Sequence, residues 1–389
     1  MMISQLGTLE ISGSRLRSNL DLLRGKLPPE ARICATIKAD AYGHGMREIQ
    51  ALLATMGVDR HCTYTTGEAF RAQTNAEVER YPVTVLALCP AIQPAGAESG
   101  LATREIIASI SLSRQLHITV VDCASAEFFN HIRGAARNGG PLPVHVQVDT
   151  GLTRAGVSVA DATAVIDRIL SLPHLRLAGI FTHLSHGDVA GHPSIQEQIE
   201  ALHKIADPIK REHPEILIHA QNSGGAWNFS DAGLDMVRIG IAMYGLQPAV
   251  DEPIPGLLPI ARLVAPILMI HERPANTGVG YGHTFVTRRE SRLAIVPVGY
   301  ADGYPRAMSN RGIVQVRGQD APVVGRVSMD QIIVDVTDIV GATAGDQVTI
   351  FSNDPAARNC IDKIAKDCGT IGYEIATGLG SRLMRQIVD

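Results

Sequence analysis

From Ala31 to about residue 245, short apolar runs alternate with stretches of helical period. The runs at 31–38, 83–88, 118–121, 144–149, 176–182, 216–220 and 236–241 read as strands. Between them, 158–171 reads as a helix, with Ser158 and Asp161 spaced as a capping box. So does 194–206, which puts Ile195, Ile199, Leu202 and Ile205 on one face. Repeated βα units imply a parallel sheet. Seven or eight of them in ~220 residues favour a closed TIM-type (β/α)8 barrel, with an open doubly wound sheet as the alternative that pattern alone leaves open.

The texture changes after about 250. Pro253, Pro255 and Pro259 mark a linker, and helical period largely disappears. Runs at 261–270, 292–298, 312–317, 322–327, 331–336 and 346–351 are rich in Val and Ile and separated by Gly, Asp and Asn turns. The expected organisation is an α/β barrel domain over 1–250 and a mainly-β domain over 251–389, with residues 1–12 free to pack on the second.

A chain of 389 residues is long for one core, which fits two domains. The net charge of −4 is spread over mixed acidic and basic residues, so no nucleic-acid face is expected. No apolar stretch is long enough for a bilayer, and Met1-Met2-Ile3-Ser4-Gln5 does not open a signal peptide. The expectation is a soluble cytoplasmic protein without membrane partners. The six cysteines form no C-x-x-C pair and read as reduced small hydrophobes. His183 and His186 lack the carboxylate a helical zinc site needs, so no metal is expected.

Polar residues recur where the strands end, the face on which a barrel does its chemistry. Lys38 ends one strand. Asp149-Thr150-Gly151, Thr182-His183 and Gln221-Asn222-Ser223 follow others, and Arg238 lies within a fifth. A lysine at a strand end ordinarily reaches water with its ammonium. Burial would instead favour a neutral amine able to attack a carbonyl. After Lys38, glycines turn the chain into a helical pattern at Ile49, Leu52, Leu53 and Met56.

The run Ala35-Thr36-Ile37-Lys38-Ala39-Asp40-Ala41-Tyr42-Gly43-His44-Gly45 resembles the pyridoxal-phosphate attachment motif of the alanine racemases. Met236-Val237-Arg238-Ile239-Gly240-Ile241-Ala242-Met243-Tyr244-Gly245 and Val279-Gly280-Tyr281-Gly282-His283-Thr284 are similar to two further family motifs, and the likeness covers essentially the whole chain. It implies a barrel followed by a β domain, assembled as a homodimer whose active sites each borrow residues from the partner.

The resemblance assigns roles by position. Lys38 would carry pyridoxal 5′-phosphate and act as one base, with Tyr281 of the other subunit as the second. Tyrosine has an ordinary pKa of ~10 and would need a positive or hydrogen-bonding environment. Taken alone, the glycines at 278, 280 and 282 read as a β turn. Arg238 would face the cofactor's ring nitrogen, with His183 bonded to it. Tyr42, Ser223, the N–H groups of Gly240 and Ile241, and Tyr373 would bind phosphate. Arg154 would touch the cofactor and the substrate carboxylate, while Tyr300 and Met329 would wall the substrate pocket.

Three departures stand out. Gln147 replaces a lysine that is carbamylated in many members, so its amide could accept a bond from Arg154 but brings no charge. Leu184-Ser185-His186-Gly187-Asp188 and Ser381-Arg382-Leu383-Met384-Arg385 also depart from the usual family segments. The expected activity is racemisation of L- and D-alanine, with D-alanine serving bacterial peptidoglycan. Alternatives are a broader racemase of serine or basic amino acids and a non-catalytic pyridoxal-phosphate binder. A decarboxylase or aldolase fits poorly with Arg238.

Overall fold

The computed structural model describes residues 7–90, 115–135, 140–249 and 251–389. The N-terminal residues on which the signal-peptide reading rests lie outside them.

Eight parallel strands form the barrel: Arg32–Thr36, Arg60–Thr63, Thr84–Pro90, Leu116–Val120, Leu142–Asp149, Leu175–Phe181, Leu217–His219 and Met236–Ile239. The first pairs with the last through Ile33 and Val237, and Ile118 pairs with Val144, so the ring closes and the open-sheet alternative falls. Their branched aliphatic side chains form a continuous buried core with the surrounding helices.

One strand was missed. Arg60-His61-Cys62-Thr63 has neither an apolar run nor alternation, yet His61, Cys62 and Thr63 are all buried. Closing the barrel buries them, which local pattern does not reveal.

Helix ends also moved. Ser158 accepts from the Asp161 N–H at 3.1 Å, but the helix starts later and runs Ala162–Ser171. The helix expected at 194–206 extends over Pro193–Glu212 and accommodates Pro208.

The C-terminal region holds a six-stranded sheet, a three-stranded sheet and a two-stranded ribbon. The run at 261–270 splits into Ala261–Pro266 and Met269–Arg273 on different sheets. The strand expected at 322–327 lies earlier, at Gln319–Pro322. Two helices, Ile361–Cys368 and Gly372–Thr377, were not expected in this half.

The strand Thr8–Ile11 belongs to the six-stranded sheet. It lies between Ala261–Pro266, antiparallel, and Met384–Ile387, parallel. No helix among the described residues is long and apolar enough to cross a membrane.

Candidate functional site

Lys38 opens a turn of unusual hand. Ala39, Asp40, Ala41 and Tyr42 all have φ between +50° and +54°, without a glycine among them. Left-handed backbone costs an ordinary residue about 1–2 kcal/mol, so the turn needs outside support. Ala39 N–H donates to Glu68 Oε1 at 2.7 Å, and Met46 N–H to Asp40 Oδ1 at 2.9 Å. Arg385, from the last strand, donates to Gly43 O at 2.8 Å. His44 stacks on Tyr244 at 4.6 Å, and the Tyr244 hydroxyl donates to Thr36 O at 2.9 Å. Gly43 is required, because a Cβ there would sit 2.1 Å from Ala376 O.

The turn sets Lys38 into a cavity of about 550 Å³ that Gln147, Arg154, Phe181, His183 and Arg238 also line. Burial lowers the Lys38 ammonium from its ordinary pKa, and the cations of Arg154 and Arg238 add to the effect. The amine is thus biased toward its neutral, nucleophilic form.

Arg238 is buried, and all its hydrogen-bond partners are neutral. It donates to His219 Nδ1 at 2.6 Å, to the carbonyls of Thr182 and Ala220 at 2.8 Å each, and to His183 Nδ1 at 3.2 Å. Its guanidinium carbon lies 5.1 Å from the Phe181 ring centre. Burial pushes its pKa down to about 10, leaving it charged at neutral pH. Burial first, and then Arg238, pushes His183 down to about 3, so its Nδ1 is free to accept.

Next to Arg238 in sequence is a cluster of donors. Ser223 Oγ accepts from the N–H of Gly240 at 2.9 Å and of Ala242 at 3.3 Å. Gly240 leaves room for the Tyr42 hydroxyl, which would lie 2.6 Å from a Cβ at that position. The Tyr42 and Tyr373 ring centres are 6.1 Å apart, and burial raises both phenols, keeping them protonated. Ile241 follows in the buried turn Ile241–Tyr244.

Arg154 follows a loop built on Asp149, whose Oδ1 accepts from the N–H groups of Gly151, Leu152 and Thr153 at 3.0 Å each. Gln147 could accept a bond from Arg154 but does not: among the described residues, Arg154 makes no hydrogen bond or ion pair. A neutral amide exerts little pull on an exposed guanidinium.

The other three candidates stand apart. Tyr281 is 72% exposed on the single turn Tyr281–His283, between the strands Gly278–Val279 and Phe285–Val286. Tyr300 and Met329 lie on adjoining exposed segments, where Tyr300 N–H donates to Ser328 O and Ala301 N–H to Met329 O. None of the three lines the cavity of its own chain.

Sequence reasoning passed over Glu68, Phe181 and His219, and named Arg385 only within an unusual C-terminal segment. Only Glu68 carried a local signal, since Thr65 and Glu68 are spaced as the capping box they form.

Two family models match the chain, the alanine racemase N-terminal domain over residues 11–248 and the C-terminal domain over 260–387. An alanine racemase of Desulfovibrio desulfuricans is 35% identical over 98% of this chain and 97% of its own length. The solved alanine racemase of Streptomyces coelicolor superposes with a TM-score of 0.85 at 32% identity, covering 99% of this chain and 98% of that one. A Bartonella henselae alanine racemase, solved with covalently bound pyridoxal phosphate, gives 0.77 at 27% identity over 98% of this chain and 99% of its own. Matched across both halves, this chain belongs to the alanine racemase family.

Proposed function

We propose that this protein is an alanine racemase that moves the α-proton of alanine between two faces, using Lys38 on one and Tyr281 of a second copy on the other. The observation that carries the reading is the convergence of Lys38, Arg154, His183 and Arg238 on one cavity in a chain matched by both domain models of the family.

The residues suit pyridoxal phosphate, the cofactor of this family. A partly desolvated lysine can bind its carbonyl, and the Tyr42 and Ser223 hydroxyls that Gly240 lets approach its backbone suit a phosphate. Tyr42, Ser223, the N–H groups of Gly240 and Ile241, and Tyr373 would hold that phosphate. When bound, the cofactor supplies the electron sink that makes the substrate α-proton removable.

The neutral Lys38 Nζ takes the α-proton from one face, and the Tyr281 phenol returns its own proton to the other. The opposite enantiomer uses the same groups in reverse. Arg238 would present the ring nitrogen with a cation that does not readily surrender a proton, which would keep the sink weak and limit side reactions. His183 helps hold Arg238. Arg154 meets the substrate carboxylate, and Tyr300 with the Met329 N–H, from the second copy, closes the pocket. On this reading the enzyme is a homodimer of the bacterial cytoplasm that supplies D-alanine for peptidoglycan.

The test is α-proton exchange in deuterated water with chirality followed, using L-alanine, L-serine and L-arginine separately. Exchange with racemisation of alanine alone is expected. Racemisation of all three would replace alanine specificity with a broad one. Cofactor binding without exchange on any substrate would sink the assignment.

A further inference from the structure

Arg238 does not end at its first histidine. His219 Nε2 lies 2.9 Å from His145 Nδ1, and His145 Nε2 lies 2.9 Å from His117 Nδ1. The three rings come from three different strands and cross the barrel interior with at most 9% exposure. Gly179, on the strand beside His145, makes the crossing possible, because a Cβ there would sit 2.3 Å from His145 Nδ1. Phe181 stacks on His219 at 4.7 Å and 6°, fixing the first ring.

The geometry gives the chain a direction. A guanidinium only donates, so His219 Nδ1 accepts and its proton sits on Nε2. That N–H points at His145 Nδ1, which must also accept, and the argument repeats at His117. All three imidazoles are therefore neutral Nε2–H forms with their lone pairs turned toward Arg238. Aligned in this way, their dipoles present negative ends to a buried cation whose bonded partners include no carboxylate. Burial and flanking cations oppose protonation of the rings, with Arg238 at one end and Arg176 and Arg60 near the other.

We propose that His219, His145 and His117 are positioning residues for Arg238, a one-way chain of neutral imidazoles that fixes the guanidinium and supports its charge. Its bearing on catalysis rests on the role given above to Arg238, whereas its existence does not.

The experiment uses nitrogen-15 labelled holoenzyme. The three rings, assigned from single variants, should each show Nε2–H and an unprotonated Nδ1 at pH 7, and the Arg238 Nη protons should exchange slowly. A single ring carrying Nδ1–H, or both protons, would overturn the directed chain. His145→Leu keeps the shape and removes both bonds, whereas His145→Gln retains an acceptor and a donor. His145→Leu should release the Arg238 Nη protons to rapid exchange and lower kcat ~10-fold with KM nearly unchanged, the effect of losing support for a charged hydrogen bond. His145→Gln should restore most of both. Equal behaviour of the two variants would reduce the chain to packing. Intact ring and Arg238 signals in a wild-type protein that racemises nothing would leave the chain standing and remove the racemase reading instead.

Discussion

The two halves of the candidate site are built on opposite terms. The barrel half is the more enclosed: Arg238 and His219 are buried and His183 lines the cavity, with partners already in place. The β-domain half is open, with Tyr281 at 72% and Met329 at 53% exposure, and neither reaches the cavity of its own chain. If the proposed roles of Tyr281 and Met329 hold, a site whose barrel groups are prearranged while its β-domain groups face outward is complete only when another surface arrives. That surface, on the reading above, is a second copy of the chain.

Acid should separate the halves most sharply. Burial lowers His44 and His61 to about 4 and His117 and His183 to about 3, and holds His145 and His219 well below the ordinary 6.5. The unfolded chain takes up a proton at each of these positions near pH 6.5, while the native fold does not. Stability therefore falls as pH drops below that value, by up to about 1.4 kcal/mol per pH unit for each histidine. Urea unfolding at pH 7.5 and 5.5 should differ by several kcal/mol. Equal midpoints and slopes would mean the buried rings accept protons in place.

Next comes Lys38→Ala, expected to cut racemisation at least ~10³-fold and to abolish covalent cofactor by mass spectrometry. Tyr281→Phe should cost ~10²-fold in racemisation with cofactor binding unchanged. Mixing the two inactive proteins discriminates further. If the open half serves a second copy, random hybrids regain roughly a quarter of wild-type activity. No recovery from subunits shown to exchange would confine both bases to one chain. The smallest effect belongs to Ser223→Ala. It removes the acceptor of two N–H groups and should weaken cofactor affinity ~10-fold in an equilibrium titration, without changing the specificity for alanine.

The same contrast explains what could be read in advance. The strand leading to Lys38 and the one carrying Arg238 were legible because each is a largely apolar run with an anomalous charge at its end or within it. The chain of histidines was not. His117, His145 and His219 each stand among apolar residues of three separate strands, and only closure of the barrel brings them into line. The left-handed turn after Lys38 was equally hidden, because Ala39-Asp40-Ala41-Tyr42 contains no glycine to announce it. Its support comes from Glu68 and from Arg385, 347 positions beyond Lys38. In the C-terminal half, strand content was evident from its Val and Ile runs. The short helices Ile361–Cys368 and Gly372–Thr377 went unnoticed beside them.

The strand Thr8–Ile11 also sets an order of events. It precedes the barrel in the chain, but its two neighbours, Ala261–Pro266 and Met384–Ile387, follow the whole barrel. Until both have been synthesised its hydrogen-bonding edges stand unpaired, an invitation to wrong partners that the arrival of Met384–Ile387 withdraws. Its sheet consequently closes after the barrel strands have been made. Because Arg385 lies in the final strand, the turn beside Lys38 receives its brace at that same late step.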